Sequence, residues 1–145
     1  MNNIEIVVLL ALSALLFYGA HCDLKSRIIP NAVPIGVGAI GVLCILLGPR
    51  FSLLHIPLIE RVAGFIILAT LLFILANKFG GVGGGDFKLM AAMGLTFGIY
   101  QLVPILFVTT LSGVAWAKIK KQKSVPLAAF VFVGFLAYLI LVFLV

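Results

Sequence analysis

The stretch VPLAAFVFVGFLAYLILVFLV, residues 125–145, carries no charged side chain. A run of this length is what an α-helix needs to cross a hydrocarbon core about 30 Å thick, at ~1.5 Å per residue. The rest of the 145-residue chain has the same character, because 64% of its residues are hydrophobic, 10% are charged and the mean hydropathy is +1.35. A water-soluble domain of this size does not normally have such a composition. We therefore expect an integral membrane protein.

Five further apolar runs precede this one, separated by the few charged residues and by glycine or proline. The six runs are Ile4 to Ala20, Val33 to Leu47, Val62 to Ala76, Phe87 to Phe97, Leu102 to Ala117 and Val125 to Val145. Several are shorter than the roughly 20 residues that a spanning helix requires, so some helices must extend into flanking residues or stop short. The pattern predicts an all-α, polytopic helix bundle of about six transmembrane helices, forming a single domain over residues 1–145.

The net charge of +6 has a cause other than nucleic acid binding. Basic residues cluster in the connections after the first, third and fifth runs, and only Arg50 and Arg61 lie on the other side; the clustered residues are Lys25, Arg27, Lys78, Lys88, Lys118, Lys120, Lys121 and Lys123. By the positive-inside rule these connections are cytoplasmic and both termini are external, in a multi-pass protein of the inner (cytoplasmic) membrane. The same side chains can attract anionic membrane lipids. Cys22 and Cys44 form no CxxC pair, so we expect packing residues and no zinc site.

Ionisable groups are costly in a membrane, so each one needs a reason to be there. The acids and imidazoles are Glu5, His21, Asp23, His55, Glu60 and Asp86. The predicted topology places Asp23 and Asp86 on the same cytoplasmic face, at the end of the first span and the start of the fourth. An acid at a helix N-terminus, as at Asp86, can serve as a cap, whereas Asp23 would meet the negative end of a helix dipole. An ion pair with Lys25 or Arg27 is one explanation for Asp23.

Catalysis is the other explanation for the two aspartates. If they converge, both cannot easily ionise, and one neutral acid beside one carboxylate is what aspartyl proteolysis needs. The carboxylate takes a proton from the attacking water while the acid protonates the scissile carbonyl. The glycines before Asp86, in GGVGGGDFK from residue 80, would let an extended substrate backbone approach, or would form only a permissive loop. The segment lacks the GK[ST] ending of a nucleotide-binding loop.

Two segments resemble the type IV prepilin peptidases, which are GxGD-type intramembrane aspartyl proteases. GGGDFKL, residues 83–89, with the following MAAMG is similar to the family's GxGDxKL segment, and DLKSRIIPN, residues 23–31, is similar to its D-x3-R-x-IPN segment. A softer similarity lies in KSVPLAAF, residues 123–130, before the last helix. The resemblance covers nearly the whole chain.

The resemblance implies that Asp23 and Asp86 are the catalytic pair, with Gly83, Gly84, Gly85 and Lys88 in the active-site loop. It marks Lys25, Arg27, Pro30 and Asn31 as candidates for supporting the site or contacting substrate. It implies hydrolysis of the leader from prepilins or pseudopilins at the cytoplasmic membrane boundary, with a substrate made of a leader and an N-terminal hydrophobic helix. Longer bacterial members carry a further domain with CxxC motifs and methylate the new N-terminus. Because no such segment occurs here, we expect cleavage without methylation, metal or other cofactor, as in the short peptidases of tight-adherence (Flp-type) pilus systems.

Two other functions stay open at this point. A small ion-coupled transporter subunit would use the aspartates as a cation site, although the chain shows no inverted repeat. A non-catalytic pilus-assembly factor would hold pilin helices without cutting them. The pair Gly94 and Gly98 forms a GxxxG motif, for which we expect packing inside the bundle in preference to a dimer interface. Nothing in the sequence indicates the oligomeric state.

Overall fold

The computed structural model describes residues 3–48, 56–79, 83–121 and 125–144. The described residues form five α-helices, α1 (Asn3–Ser26), α2 (Ala32–Leu47), α3 (Leu58–Phe79), α4 (Gly84–Lys120) and α5 (Leu127–Leu144). α1, α3, α4 and α5 are each long and apolar enough to cross a membrane, and α2 is a shorter apolar helix. The predicted all-α membrane bundle is confirmed. Several helices extend beyond the apolar runs, as their shortness required, whereas the last begins two residues later than its run, at Leu127.

α4 contains two of the six predicted runs, 87–97 and 102–117, in 37 residues. A straight helix of that length would be about 55 Å long, well beyond a hydrocarbon core of roughly 30 Å. The helix is broken at Gly98, where φ is 65° and ψ is 179°, a conformation open to glycine and rarely to other residues. The neighbours of α4 on the two sides of Gly98 show in which direction each part of it runs.

Residues 84–97 and 99–120 run in opposite directions. The first segment runs parallel to α2, with neighbouring pairs Lys88 and Asn31, Ala92 and Gly38, and Thr96 and Gly41. The second segment runs antiparallel to α5, with neighbouring pairs Gln101 and Tyr138, Ile105 and Gly134, and Thr109 and Phe130. α2 runs antiparallel to α1, with Val33 beside Gly19 and Gly36 beside Leu15, and so does α5, with Ala128 beside Asp23 and Phe132 beside Phe17. The chain therefore reverses at Gly98. α3 runs antiparallel to the first segment, because Gly64 lies beside Gly94 and Glu60 beside Gly98. The described residues thus form six helical segments that alternate in direction, but five helices, four of them long and apolar enough to span, in place of the predicted six or so transmembrane helices.

The break at Gly98 is stabilised by a buried arginine from α3. Arg61 is 1% exposed, and its guanidinium donates hydrogen bonds to the carbonyl oxygens of Thr96 at 2.6 Å and Leu95 at 3.2 Å. Its Nε also donates to the carbonyl of Ile56 at 3.3 Å. The carbonyls of Leu95 and Thr96 belong to the last helical turn before the break. In such a turn the carbonyls have no further N–H partners in their own helix, and this end of the helix dipole is negative. A cation at this position satisfies both requirements.

The GxxxG glycines pack within the bundle, as expected. A Cβ added to Gly94 would lie 2.5 Å from the carbonyl oxygen of Gly64 in α3, and one added to Gly98 would lie 2.8 Å from the side chain of Ile56. Apolar side chains from α1, α2, α4 and α5 fill the core, to which α3 contributes little. The fully buried ones include Leu12, Leu16, Val33, Leu89, Met93, Phe97, Leu102 and Phe135. The outer surface is also apolar, with exposed residues such as Phe17, Leu71 and Phe143, which suits contact with lipid.

Candidate active site

Asp23 lies in the last turn of α1 and is almost fully buried, with 4% of its surface exposed. Its Oδ2 accepts a hydrogen bond of 2.8 Å from the backbone N–H of Ala128, in the first turn of α5. The N–H groups of a first helical turn have no partner within their own helix, and that end of the dipole is positive. The N-terminus of α5 therefore compensates the carboxylate for its unfavourable place at the C-terminus of α1.

The positive charge of Arg27 also interacts with the Asp23 carboxylate. The N–H of Arg27 closes the last turn of α1 by donating to the carbonyl of Asp23 at 2.9 Å, and its own φ of 55° takes the chain out of the helix. Lys25 is exposed at the same end of the bundle. Arg27 thus contributes a favourable charge interaction with Asp23 in addition to the contact with α5.

Asp86 is the third residue of α4 and is partly buried. Its Oδ2 accepts a hydrogen bond of 3.3 Å from the N–H of Gly83, the residue before the helix. Gly83 has extended backbone angles, φ −70° and ψ 147°, and its carbonyl accepts the N–H of Phe87 at 3.2 Å. Asp86 is therefore a helix-capping acid, as one interpretation of the sequence expected. This role uses one of its carboxylate oxygens.

The fold brings the two aspartates together across 63 positions of sequence. The Asp86 carboxyl is close enough to that of Asp23 for the two to interact electrostatically. Each has a separate backbone donor, the N–H of Ala128 for Asp23 and the N–H of Gly83 for Asp86. Two carboxyl groups that interact in this way do not both ionise easily.

A cavity of about 210 Å³ opens beside Asp86, between the segment that follows α1 and the start of α4. Its walls are Arg27, Ile28, Ile29 and residues 83–86. Gly84 faces open space, because a Cβ added there would meet no atom within 4 Å. A Cβ added to Gly85 would lie 3.0 Å from the Cβ of Ile29. The two glycines thus have different reasons to lack a side chain, free volume at Gly84 and close packing at Gly85.

A hydrogen bond outside this cavity joins the same two segments. Lys88 Nζ donates to Asn31 Oδ1 at 3.0 Å. Pro30 comes just before Asn31, and its carbonyl accepts the N–H of Val33 at 3.0 Å, which starts the first turn of α2. The DLKSRIIPN and GGGDFKL segments are therefore in direct contact, as residues of one site would be.

Two features of the site differ from the sequence-based expectation. Gly84, Gly85 and Lys88 were expected in a loop, but they lie in the first turns of α4, because the helix begins directly after Gly83. Ala128 was missed as a site residue, since its contribution is a backbone N–H and its side chain carries no signal. The only pointer was the weak similarity around Pro126. Within that segment Lys123 and Ser124 lie outside the described residues, as do Gly80, Gly81 and Val82 of the glycine stretch.

The remaining candidate groups lie apart from this site or form no cluster. His21 is exposed, and both Cys22 and the buried Cys44 are free thiols. In the described ranges no group of three or more histidine, cysteine, aspartate or glutamate side chains could hold a metal ion. The site therefore consists of two carboxyls, an arginine, glycine backbone and a helix N-terminus.

Comparison with known proteins identifies the family. The model of the type IV leader peptidase family matches residues 10–118. The chain is 30% identical over 145 residues to the prepilin leader peptidase/N-methyltransferase of Bacillus subtilis (strain 168), covering 94% of the chain and 57% of that protein. It is 27% identical over 135 residues to the protein of the same name in Burkholderia pseudomallei (strain 1026b), covering 87% of the chain and 41% of that protein.

The chain thus spans about half the length, or less, of these curated relatives. No solved structure matches it. The matched range contains both aspartates, the DLKSRIIPN and GGGDFKL segments and the reversal at Gly98. The chain therefore belongs to the type IV leader peptidase family.

Proposed function

We propose that this protein is a membrane aspartyl endopeptidase that removes the leader peptide from prepilins or prepilin-like proteins, with Asp23 and Asp86 activating water. The observation that carries the proposal is the electrostatic interaction of the Asp23 carboxyl with that of Asp86, which itself lines a cavity walled partly by glycine backbone. The family supports the reaction class, and the curated relatives are named as prepilin leader peptidases.

The proposed reaction starts with one aspartate ionised and the other protonated. The carboxylate takes a proton from water as the hydroxyl adds to the scissile carbonyl carbon, and the neutral acid gives its proton to the carbonyl oxygen. In the second step the C–N bond breaks, the departing nitrogen receives a proton from the carboxyl that became protonated in the first, and the other carboxylate takes back a proton from one hydroxyl of the intermediate, which restores one ionised and one protonated aspartate. The products are a new carboxyl terminus and a new amino terminus, and the net consumption is one water molecule.

The substrate proposal rests on the shape of the cavity. The open space at Gly84 leaves room for the backbone of an extended peptide close to Asp86. The two apolar isoleucines, Ile28 and Ile29, form part of the opposite wall, next to Arg27. A leader joined to a hydrophobic helix would place its cleavage site at the membrane boundary, the depth at which α1 ends and α4 begins. The proposal covers cleavage alone and no methyl transfer.

The side of the membrane follows from the basic residues. Those that end α1, α3 and α4 lie at the same end of the bundle as the two aspartates, because the helices alternate in direction. By the positive-inside rule this end faces the cytoplasm, which leaves both ends of the chain outside. Anionic lipid headgroups at that surface would be attracted to the same residues.

The test is processing of a co-expressed prepilin by the wild type and by the isosteric variants Asp23→Asn and Asp86→Asn. Each variant should lower the cleavage rate by at least about a thousandfold, the upper part of the range for a lost acid or base. Both should accumulate in the membrane at the wild-type level. Glu60→Gln, which alters a carboxyl at the opposite end of the bundle, is the matched control and should cleave normally.

Two results would refute the proposal. Cleavage at the wild-type rate by either asparagine variant would exclude the aspartate pair as the catalytic machinery. A wild-type protein that binds a prepilin without ever cleaving it would favour the assembly factor, and proton or cation flux that depends on Asp23 and Asp86 would favour the transporter subunit.

A further inference from the structure

Asn31 occupies a position where its side chain normally serves its own helix. It is the N-cap residue of α2, and asparagine is among the preferred residues there because its side-chain oxygen accepts an N–H of the first turn. In this protein Asn31 makes no such side-chain bond, and its backbone φ of −58° and ψ of −22° are already helical. Its Oδ1 instead accepts a hydrogen bond from Lys88, 57 positions later in the chain.

Lys88 is also in a locally unfavourable place. It is the fifth residue of α4, near the positive end of the helix dipole, where acids are favoured over cations. Its ammonium reaches the Asn31 side-chain oxygen at 3.0 Å although both side chains are exposed and could be solvated by water. Each of the two residues thus makes a tertiary contact in place of a more favourable local arrangement. Such a departure from local preference is expected at functional sites.

The partners of this bond lie on the two segments that carry the aspartates. Ile29 touches Gly85, and Asn31 bonds to Lys88, so the segment after α1 lies alongside the first turns of α4 at two successive points. Asp86 lies between Gly85 and Lys88 in sequence. On the other segment, Asn31 ends the non-helical stretch that begins after Asp23 and Arg27.

We propose that Asn31 and Lys88 form a clasp that fixes the separation of the Asp23 and Asp86 carboxyls. This role rests on the proposed function, and it makes Asn31 and Lys88 positioning residues that act through the aspartates. Packing at Gly85 limits how close the two segments approach, and the clasp limits how far they move apart. Asp23 is held from its other side by the Ala128 N–H, so the clasp acts mainly on Asp86 and the cavity wall.

The experiment is a double-mutant cycle on prepilin cleavage by the full-length protein in detergent or lipid, with kcat and KM measured separately. Asn31→Ala and Lys88→Met should each lower kcat by about ten- to hundredfold, the effect expected from displacing a catalytic group by about 1 Å, with KM unchanged. The double variant should be no slower than the slower single variant, because both changes remove the same contact. Asn31→Asp keeps an acceptor for the Lys88 ammonium and should retain most of the activity.

Lys118→Met is the matched control, because Lys118 is an exposed lysine at the same end of the bundle and outside the site. It should cleave at the wild-type rate. All variants should unfold near the wild-type temperature, since the clasp lies between exposed side chains.

Several results would overturn the clasp while leaving the peptidase intact. These are multiplicative losses in the double variant, no loss in either single variant, or a raised KM with unchanged kcat, which would make Lys88 a substrate contact. A wild-type protein that fails to cleave any prepilin would overturn the proposed function, and this role with it.

Discussion

The two glycines before Asp86 allow an effect on stability to be distinguished from an effect on catalysis. The same substitution, glycine to alanine, is made at each of the two neighbouring positions. Gly84→Ala adds a Cβ that meets no atom within 4 Å, whereas Gly85→Ala adds one 3.0 Å from the Ile29 Cβ and 3.4 Å from the Ile29 carbonyl oxygen. Both residues are in the first turn of α4, so the change in helix propensity is the same for each. The difference between the variants therefore reports on their surroundings.

The structure gives a direction and a size for each effect. Replacing glycine by alanine at a compatible helical position stabilises by about 0.4–1 kcal/mol, so Gly84→Ala should unfold at or slightly above the wild-type temperature. At Gly85 the backbone of the neighbouring segment has to move by a few tenths of an ångström, and overpacking of this kind costs about 1–3 kcal/mol. Gly85→Ala should therefore unfold at a lower temperature than Gly84→Ala.

Activity should follow a different order from stability. If the substrate backbone lies over Gly84, the added methyl displaces it, and a misplacement of about 1 Å lowers the rate by roughly a hundredfold. Gly84→Ala should then be a stable protein with little activity. The assay is leader removal from a purified prepilin, followed by the shift in gel mobility, alongside thermal unfolding of each variant in detergent.

The reasoning fails if Gly84→Ala cleaves at the wild-type rate, since the free volume at Gly84 would then have no role in substrate binding. It also fails if Gly84→Ala is as destabilised as Gly85→Ala, because the described surroundings of Gly84 would then be wrong.

Three further predictions concern other parts of the molecule. Ala128→Pro removes the N–H that donates to Asp23 in the first turn of α5, and loss of a charge-assisted hydrogen bond should lower the cleavage rate about ten- to hundredfold. Unchanged cleavage kinetics would show that this N–H is dispensable. Arg61→Met leaves the carbonyls of Leu95 and Thr96 without their donor and should reduce the free energy of unfolding in detergent by about 3–5 kcal/mol. A loss below about 1 kcal/mol would contradict this account of the break at Gly98. A single cysteine at position 121, with the two native cysteines replaced by serine, should react with a membrane-impermeant maleimide only after the cells are permeabilised, and labelling of intact cells would reverse the proposed orientation.

Much of the fold could be predicted because membrane insertion depends on local composition. Apolar runs separated by charges indicate membrane spans, whichever helices they later pack against. This is because a helix satisfies its own backbone hydrogen bonds in lipid. The shortest of the six runs, 87–97, ends directly before Gly98. The chain reverses at Gly98 and enters the next run almost at once, and a reversal made by one glycine leaves no charged connection in the sequence to mark it.

The site divides in the same way between local and long-range features. Asp23 and Asp86 could be chosen because acids are rare in this chain and their side chains carry the chemistry. Ala128 could not be chosen, because its contribution is a backbone N–H exposed by the start of α5. Arg61 was assigned only to the external face, and its burial against Leu95 and Thr96 depends on how α3 packs on α4.

The sequence by itself determined that the chain is a multi-pass helical membrane protein and that two aspartates are its principal candidates for chemistry. Both conclusions depend on which side chains are present, because an ionisable group in lipid is costly and therefore marks a candidate for function before its partner is known. The tertiary structure decided what holds each carboxyl, which glycine leaves space and which one packs, and that Asn31 bonds to Lys88 instead of capping α2. These features depend on contacts between residues far apart in the chain, and distances of a few tenths of an ångström determine them.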